Sequence, residues 1–158
     1  MNITIRPLEE NDAYTSVKWR NIPEIWELTG SRPDHTISIQ EELEWIRKVI
    51  QDKTCRRFAI IADDEYVGNI YLTNIKYKTA EYHIFIGNKD YWGKGIAGKA
   101  TELIIKFGKD KLGLDAIYLS VNKDNAAAVH LYEKFGFKKT EDESNNFIKM
   151  RLELNDKK

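Results

Sequence analysis

The spacing of apolar side chains divides the start of the chain into short segments of regular structure. Ile3 and Ile5 alternate with polar neighbours and Pro7 follows them, which is typical of a short strand. Two helical segments are predicted next, over residues 10–20 and 22–29. A strand followed by two short helices is therefore the expected opening of the fold.

A clearer helix signal follows, and the period of the pattern then changes. Ser38 and Glu41 have the spacing of a capping box, and Leu43, Ile46 and Ile50 recur at helical intervals after them. The segment RRFAIIADDEYVGNIYLTNI is then rich in strand-forming residues on both sides of the turn DDE. It predicts a β-hairpin.

The second half of the chain predicts a parallel pair of strands. AEYHIFIG and AIYLSV read as strands, and a helical segment lies between them. The apolar face of that helix is formed by Ile96, Ala100, Leu103, Ile104 and Phe107. A strand, a helix and a second strand within about forty residues form a right-handed crossover, so the two strands should be parallel.

Another helix and a last strand complete the predicted architecture. In DNAAAVHLYEKFGF, Asp124 is the expected N-cap and Gly136 the glycine at the C-terminal end. Residues 146–154 form the last predicted strand. The pattern as a whole predicts an α/β (α+β) fold, mostly antiparallel at the start and with a parallel central pair.

Length, charge and cysteine content narrow the class of protein. The 158 residues are enough for one domain with a core and too few for two, so we expect a single domain over 1–158. The 25 basic and 25 acidic residues cancel, so nucleic acid and membranes are not expected partners. The chain has one cysteine, Cys55, and therefore no internal disulfide. It also has no apolar run long enough to span a membrane or to act as a signal, so we expect a cytoplasmic location.

The segment YWGKGIAGKAT, residues 91–101, fits three phosphate-binding patterns. A triphosphate loop needs a hydroxyl for magnesium where this chain has Ala100. A dinucleotide turn needs glycines directly after a strand, and more strand–helix units than remain. A helix starting near Gly95 would instead present backbone N–H groups to a pyrophosphate, with Lys94 and Lys99 adding charge. A glycine turn that only begins a helix is the alternative.

Two segments resemble signatures of the GCN5-related N-acetyltransferase (GNAT) family. The family's acetyl-CoA loop reads Arg/Gln-x-x-Gly-x-Gly/Ala, and the matching residues are Trp92, Gly93, Lys94, Gly95, Ile96 and Ala97. Tryptophan replaces the first residue, similarly to the ribosomal-protein-acetyltransferase-like branch. NAAAVHLYEKFGF resembles the family's Asn-x-x-Ala-x-x-x-Tyr-x-x-x-Gly-Phe at Asn125, Ala128, Tyr132, Gly136 and Phe137. The resemblance extends from Ile3 to Leu154.

This resemblance implies a fold, a cofactor and the residues that bind it. The GNAT fold has a central mixed, mostly antiparallel sheet with a splayed parallel strand pair, flanked by helices. The cofactor is acetyl-CoA, and no metal is expected. Backbone groups of Ile84, Phe85 and Ile86 would bind the pantetheine arm and the acetyl carbonyl. Asn125 and Ala128 would also contact the cofactor, although Asn125 could simply cap its helix.

Acetyl transfer from a thioester to an amine needs a proton for the departing thiolate and a base for the ammonium. Tyr132 is the candidate acid because it shares a helix face with Asn125 and Ala128, and ordinary packing is the alternative. Glu81 is the candidate base, on the strand that leads into the cofactor loop, unless it only faces solvent. His83 lies two residues further on the same strand face and could share this role.

The acceptor is predicted to bind at the segment WRNIPEIWELTGSRPDH. Its candidate contact residues are Trp19, Arg20, Asn21, Trp26 and Arg32, with core packing of both tryptophans as the alternative. We expect a small-molecule amine substrate such as an amino-sugar nucleotide or a polyamine, and a homodimer is among the expected assemblies. A protein N-terminal or lysine acetyltransferase and a non-catalytic acyl-CoA-binding module remain as alternatives.

Overall fold

A computed structural model describes residues 1–26 and 34–154 of the chain, and a single sheet of seven strands organises this part. The strands are, in chain order, β1 (Ile3–Pro7), β2 (Arg56–Ala62), β3 (Glu65–Lys76), β4 (Thr79–Ile86), β5 (Ala116–Asn122), β6 (Lys138–Asp142) and β7 (Phe147–Glu153). The α-helices are α1 (Ala13–Arg20), α2 (Ile39–Val49), α3 (Ile96–Asp110) and α4 (Ala126–Lys134).

The sheet is mixed and mostly antiparallel. Its spatial order is β1-β2-β3-β4-β5-β7-β6. Every neighbouring pair is antiparallel except β4 and β5, which are parallel and are connected through α3. The predicted fold class and the parallel central pair are therefore confirmed.

The parallel pair splays apart after a short start. Thr79–Glu81 of β4 pair with Ala116–Tyr118 of β5. Beyond these residues the two strands do not pair with each other. The rest of β4 continues along β3, where Ile86 lies opposite Gly68. A gap therefore opens between β4 and β5 in the middle of the sheet.

Helices cover both faces of the sheet. Side chains alternate along a strand, so β3 directs Ile70 and Leu72 to one face and Tyr71 to the other. The first two belong to a core that includes Ile104 of α3 and Tyr132 of α4. The opposite face carries a smaller core to which α1 and α2 contribute Ala13, Leu43 and Ile46. The gap between β4 and β5 thus lies between two helical layers.

Local signals in the first half are largely confirmed. Ser38 Oγ accepts a hydrogen bond from the Glu41 N–H, and a Glu41 carboxylate oxygen accepts one from the Ser38 N–H, each at 3.1 Å. The hairpin turn is formed at Asp63 and Asp64, which adopt positive φ of 47° and 72°. Ile50, however, lies past the end of α2 and is 43% exposed, so its predicted place on the apolar face is wrong.

The predicted helices near the N-terminus are shorter and more divided than expected. Glu10–Asp12 is a 3-10 helix that precedes α1 within the predicted helix of residues 10–20. The segment predicted as 22–29 contains a 3-10 helix at Pro23–Trp26, and its remaining residues lie outside the described part. Proline begins this turn because its fixed φ suits the first helical position.

Two predictions near the C-terminus need correction. The N-cap of α4 is Asn125 rather than Asp124, because the Asn125 Oδ1 atom accepts a hydrogen bond from the Ala128 N–H at 3.2 Å. The C-terminal part also has two strands instead of one, since β6 pairs with β7. The sequence KKTED of β6 is polar throughout and exposed, so it lacks the alternation by which a strand is recognised.

Candidate active site

The splay of β4 and β5 opens into a cavity of about 440 Å³. A first part of its wall comes from β4, β5 and the start of α4, and is formed by Tyr82, Ile84, Leu119, Ser120, Val121, Asn122, Asn125 and Tyr132. On the side of α1 and α2, its wall is formed by Arg20, Trp26, Glu42, Trp45, Arg57, Asn69, Tyr71, Thr73, His83 and Phe85, with Phe147 of β7 completing it. The cavity wall therefore contains some predicted cofactor residues and some predicted acceptor residues, whereas the loop of residues 92–97 is not part of it.

Tyr132 is buried at the α4 side of this cavity. Its ring meets the Tyr82 ring edge to face, with centroids 5.4 Å apart. Burial raises the pKa of Tyr132 to about 12, although a hydrogen bond with Tyr82 opposes the shift. The phenol therefore keeps its proton at neutral pH and can donate it.

A chain of hydroxyl groups lies behind Tyr132. The Thr101 hydroxyl donates to the Ala97 carbonyl at 2.6 Å, and the Tyr82 and Thr101 hydroxyl oxygens are 2.7 Å apart. Because the Thr101 proton is used on the carbonyl, Tyr82 donates to Thr101. The Tyr82 proton is thereby engaged with Thr101, and Tyr132 is the next hydroxyl of this chain.

The two candidate bases lie side by side, but only one faces the cavity. His83 Nε2 lies 3.0 Å from Thr73 Oγ1 and 3.6 Å from a Glu81 carboxylate oxygen. His83 contributes to the cavity wall, whereas Glu81 stands behind it. Burial lowers the pKa of His83 and Arg57 lowers it further, while the Glu81 charge raises it. The net direction is downward, so the imidazole is neutral at pH 7 and can accept a proton.

Several cavity side chains were not predicted, because they come from distant segments. Arg57 and Tyr71 are two of them, and they lie on β2 and β3 directly opposite one another and in one row with the predicted His83 on β4. Each is separated from the next by more than ten residues in sequence. Strand alternation fixes which face each one occupies, but only the register of the sheet places them in one row.

Glu42 is the least expected member of the cavity. It is 1% exposed, and the Ser16 hydroxyl donates to its Oε2 at 2.6 Å. The Arg20 Nε atom lies 3.6 Å from its other oxygen. In the sequence it is one of several glutamates near the start of a helix, which are usually exposed, so nothing local distinguished it.

The predicted acceptor residues have different positions. Arg20 and Trp26 line the cavity. Trp19 is buried behind it against Gly87, where an added Cβ would lie 2.0 Å from the indole ring. The Asn21 amide exchanges hydrogen bonds of 2.8 and 2.9 Å with the Ile37 backbone. Arg32 lies outside the described residues. A role in acceptor binding stays a prediction for each.

The predicted pyrophosphate loop has the conformation that the sequence required. Gly93 and Gly95 adopt φ of 75° and 78°, and Gly95 is the N-cap of α3. A Cβ added to either glycine would meet nothing within 4 Å, so the loop faces open space. The backbone N–H groups of the first turn of α3, such as those of Ile96 and Ala97, have no acceptor within the helix. They suit an anion.

Other side chains of this loop are engaged elsewhere. The Trp92 indole N–H donates to the Ile86 carbonyl at 2.7 Å, which ties the loop to the end of β4. Lys99 Nζ lies 2.9 Å from a Glu102 carboxylate oxygen, and Lys94 Nζ lies 5.8 Å from the Tyr91 ring centroid. Backbone groups, rather than charged side chains, are therefore the main anion-binding feature of the loop.

The free edge of β4 also fits acetyl-CoA. Ile84, Phe85 and Ile86 pair with β3 on one side, and in the described part of the chain no strand pairs with their other side. Backbone groups on that side face the gap, as binding of a pantetheine arm requires. Residues 1–26 and 34–154 contain no group of three His, Cys, Asp or Glu side chains placed to hold a metal. Among the helices described, none is long and apolar enough to cross a membrane.

Comparison with known proteins identifies the family. Residues 2–138 match the family model described as an acetyltransferase (GNAT) domain, so the chain belongs to the GNAT family. It is an N-acetyltransferase that uses acetyl-CoA, as the resemblance of its sequence motifs implied.

Two curated relatives are similar over most of their length. The chain is 32% identical over 138 residues to spermidine N(1)-acetyltransferase of Escherichia coli strain K12, a match that covers 86% of this chain and 73% of that protein. It is 28% identical over 139 residues to acetyltransferase PseH of Campylobacter jejuni, covering 88% and 84%.

Solved structures share the fold. The structure of Vibrio cholerae spermidine N-acetyltransferase in complex with CoA and spermine has a TM-score of 0.86 and 28% identity, covering 96% of this chain and 95% of that one. A second structure of that enzyme, described as dodecameric, has a TM-score of 0.78 at 28% identity, covering 96% and 93%. The splayed sheet is thus common to this chain and these acetyltransferases.

Proposed function

We propose that this chain transfers the acetyl group of acetyl-CoA directly to a primary amine of a small molecule. The observation that carries the proposal is one cavity with a protonated phenol, Tyr132, on one side and a neutral imidazole, His83, on the other. Such a pair can supply the proton for a leaving thiolate and accept the proton of an ammonium. The names of the spermidine-acetylating relatives support a small-molecule acceptor.

The cofactor would be held mainly by backbone. The loop Trp92–Ala97 and the N-terminus of α3 would bind its pyrophosphate. The free edge of β4 at Ile84–Ile86 would bind the pantetheine arm and the acetyl carbonyl, with Asn125 and Ala128 of α4 on the other side. Acetyl-CoA supplies the activated acyl group, and the chain supplies position and proton transfer.

The catalytic roles follow from the directions in which the two pKa values are shifted, upward for Tyr132 and downward for His83. Tyr132 holds a proton on its phenol oxygen and would donate it to the departing sulfur. His83 would accept the proton of the acceptor ammonium, and the Glu81 carboxylate, 3.6 Å away, would stabilise the imidazolium. Glu81 would therefore act through His83, instead of contacting the amine itself.

The wider setting of the enzyme is also part of this proposal. We expect residues 1–158 to form a single cytoplasmic domain, with neither nucleic acid nor membrane as a partner. We expect it to form at least a homodimer, which the dodecameric relative supports. Sedimentation velocity tests the assembly, and a monomer at micromolar concentration would contradict it.

The activity is tested by calorimetry and a thiol-release assay on the same preparation. Acetyl-CoA should bind, and CoA should be released with at least one class of amine in a panel of polyamines, amino sugars, their phosphates and nucleotides, and peptides. Binding without release on any amine would identify a non-catalytic binding module. Preferential turnover of peptide N-termini or lysines would identify a protein acetyltransferase.

A further inference from the structure

The charges around the acceptor side of the cavity do not balance. Three side chains with ionisable groups line this side besides His83: Arg20, Glu42 and Arg57. Glu42 is paired with Arg20 at 3.6 Å. Arg57 has no carboxylate within 4.0 Å in residues 1–26 and 34–154. Among the described residues, Arg57 is therefore a charged side chain of this wall that no carboxylate pairs at short range.

Arg57 is held firmly although it lacks an anionic partner. Its guanidinium carbon lies 4.4 Å from the Tyr71 ring centroid and 5.2 Å from the Trp45 ring centroid. The Nε atom is buried, and the described residues offer it no hydrogen-bond partner. Of its terminal nitrogens, Nη2 lies 4.0 Å from the Cys55 sulfur, and neither meets a carboxylate among the described residues. A guanidinium fixed between aromatic rings in this way suits a planar or tetrahedral oxyanion, which its terminal nitrogens would bind.

A second arginine lies beside it. The Arg20 guanidinium carbon is 5.3 Å from the same Trp45 ring and 5.7 Å from the Trp26 ring. Trp45 is therefore contacted by two arginines, and their charges converge on one end of the cavity. Glu42, the carboxylate that lines this end, is already engaged with Arg20 and with the Ser16 hydroxyl.

We propose that the acceptor amine carries an anionic group, a carboxylate or a phosphate, that Arg57 binds with Arg20 beside it, while the amine lies at His83. This inference rests on the proposed function. Arg57 and His83 are two strands apart in one row, so their backbones are separated by about 10 Å. The amine and the anion of the acceptor therefore lie several bonds apart.

A polyamine is a poor fit to the same charges. Spermidine carries additional ammonium groups besides the one that reacts, and each would need a carboxylate or a carbonyl. Among the described residues of the cavity wall, the acceptor side offers instead Arg20 and Arg57, with Glu42 already paired. The structure thus separates this chain from its spermidine-acetylating relatives on the charge of the acceptor.

The test uses pairs of amines that differ only in the anion. The phosphate pairs are glucosamine with glucosamine 6-phosphate and ethanolamine with phosphoethanolamine, and the carboxylate pair is butylamine with 4-aminobutyrate; spermidine is assayed beside them. For at least one pair, kcat/KM should be about tenfold higher for the anionic member. The phosphate and carboxylate pairs show which anion is recognised.

Variants of neighbouring arginines link the preference to the site. Arg57→Gln should remove the preference, and Arg57→Lys should keep part of it because the charge stays while the planar fork is lost. Arg56→Gln is the matched control: Arg56 is exposed, and its guanidinium donates to the Lys53 and Cys55 carbonyls. This control should behave as the wild type.

Each possible result of these assays either supports the inference or overturns it. Equal or better use of uncharged amines or spermidine would overturn the inference while leaving acetyl transfer intact, as would identical behaviour of Arg57→Gln and Arg56→Gln. If no amine is turned over, the proposed function fails and the inference is judged by binding. Glucosamine 6-phosphate or 4-aminobutyrate should then raise the melting temperature of the wild type and not that of Arg57→Gln, and no shift with either ligand would overturn it.

Discussion

The two sides of the cavity are built in different ways. The proposed cofactor site would use mainly backbone: the free edge of β4 at the cavity, and the glycine loop and the N-terminus of α3 outside the cavity wall. The acceptor side relies on side chains that come from α1, α2, β2, β3 and β4. A backbone site tolerates many side chains and needs a few fixed residues, whereas a side-chain site can change its ligand by substitution. A site built in this way could keep its cofactor while its acceptor changes.

The largest expected effect is on the cofactor side. Gly95→Glu should weaken acetyl-CoA binding at least about 100-fold, because like charges 4 Å apart repel by about 4 kcal/mol at an effective dielectric constant of 20. Isothermal calorimetry measures this. Gly113→Glu is the matched control, since Gly113 also has positive φ, 63°, and open space around it. Equal affinity in the two folded variants would contradict the loop assignment.

Removal of the Tyr132 hydroxyl should affect the rate and not the binding of the cofactor. Tyr132→Phe keeps the packing against Tyr82 and loses the donor, so kcat should fall roughly ten- to a thousand-fold. Steady-state kinetics and calorimetry separate the two effects. Tyr118→Phe, which removes a hydroxyl outside the cavity wall, should have wild-type kcat. Wild-type turnover in Tyr132→Phe would leave this tyrosine as packing.

A smaller effect is expected at the base. The negative charge of Glu81 raises the pKa of His83, so Glu81→Gln should lower that pKa further and make the imidazole a weaker base. The loss of activity caused by Glu81→Gln should become smaller as the pH rises from about 6 to about 10, because more of the acceptor amine is then already deprotonated and needs no base. NMR titration of His83 and the pH profile of kcat/KM measure both. An unchanged His83 pKa would show that the two groups do not interact.

The smallest effect concerns the helix that carries Glu42 and Trp45. Ser38→Ala removes one half of the capping box of α2 and should reduce the free energy of unfolding by about 1 kcal/mol. Acetyl-CoA affinity should not change, since α2 lies on the acceptor side. Urea unfolding measures the loss, with Ser144→Ala in an exposed loop as the control. An equal loss in both variants would mean that the cap contributes nothing.

The difference between local backbone features and side chains brought together from distant segments also decided what could be predicted from the sequence. The glycine loop, the capping box and the hairpin turn depend on neighbouring residues, so their chemistry is visible in a short segment. Arg57 and Glu42 gain their significance from the register of the sheet and from burial under α2, which no local pattern shows. Glu81 was predicted on the correct strand face, but its position behind His83 depends on how that strand lies in the wall.

The three remaining errors, at the N-cap of α4, at β6 and at Ile50, each have a physical reason. Asp124 and Asn125 are both good N-caps, and neighbouring sequence alone cannot choose between them. The polar strand β6 forms because β7 offers an unpaired edge, so its structure is determined by its partner and not by its own pattern. Ile50 has the spacing of the apolar face but lies just beyond the end of the helix.

Amide hydrogen exchange with and without acetyl-CoA tests the two-sided site most directly. Acetyl-CoA should slow exchange in peptides covering Ile84–Ile86 and residues 93–98, where backbone N–H groups would bind it. Exchange in β2 and α2, on the acceptor side, should stay the same. Protection in β2 or α2 with none at the loop would contradict the division of the cavity into a backbone cofactor side and a side-chain acceptor side.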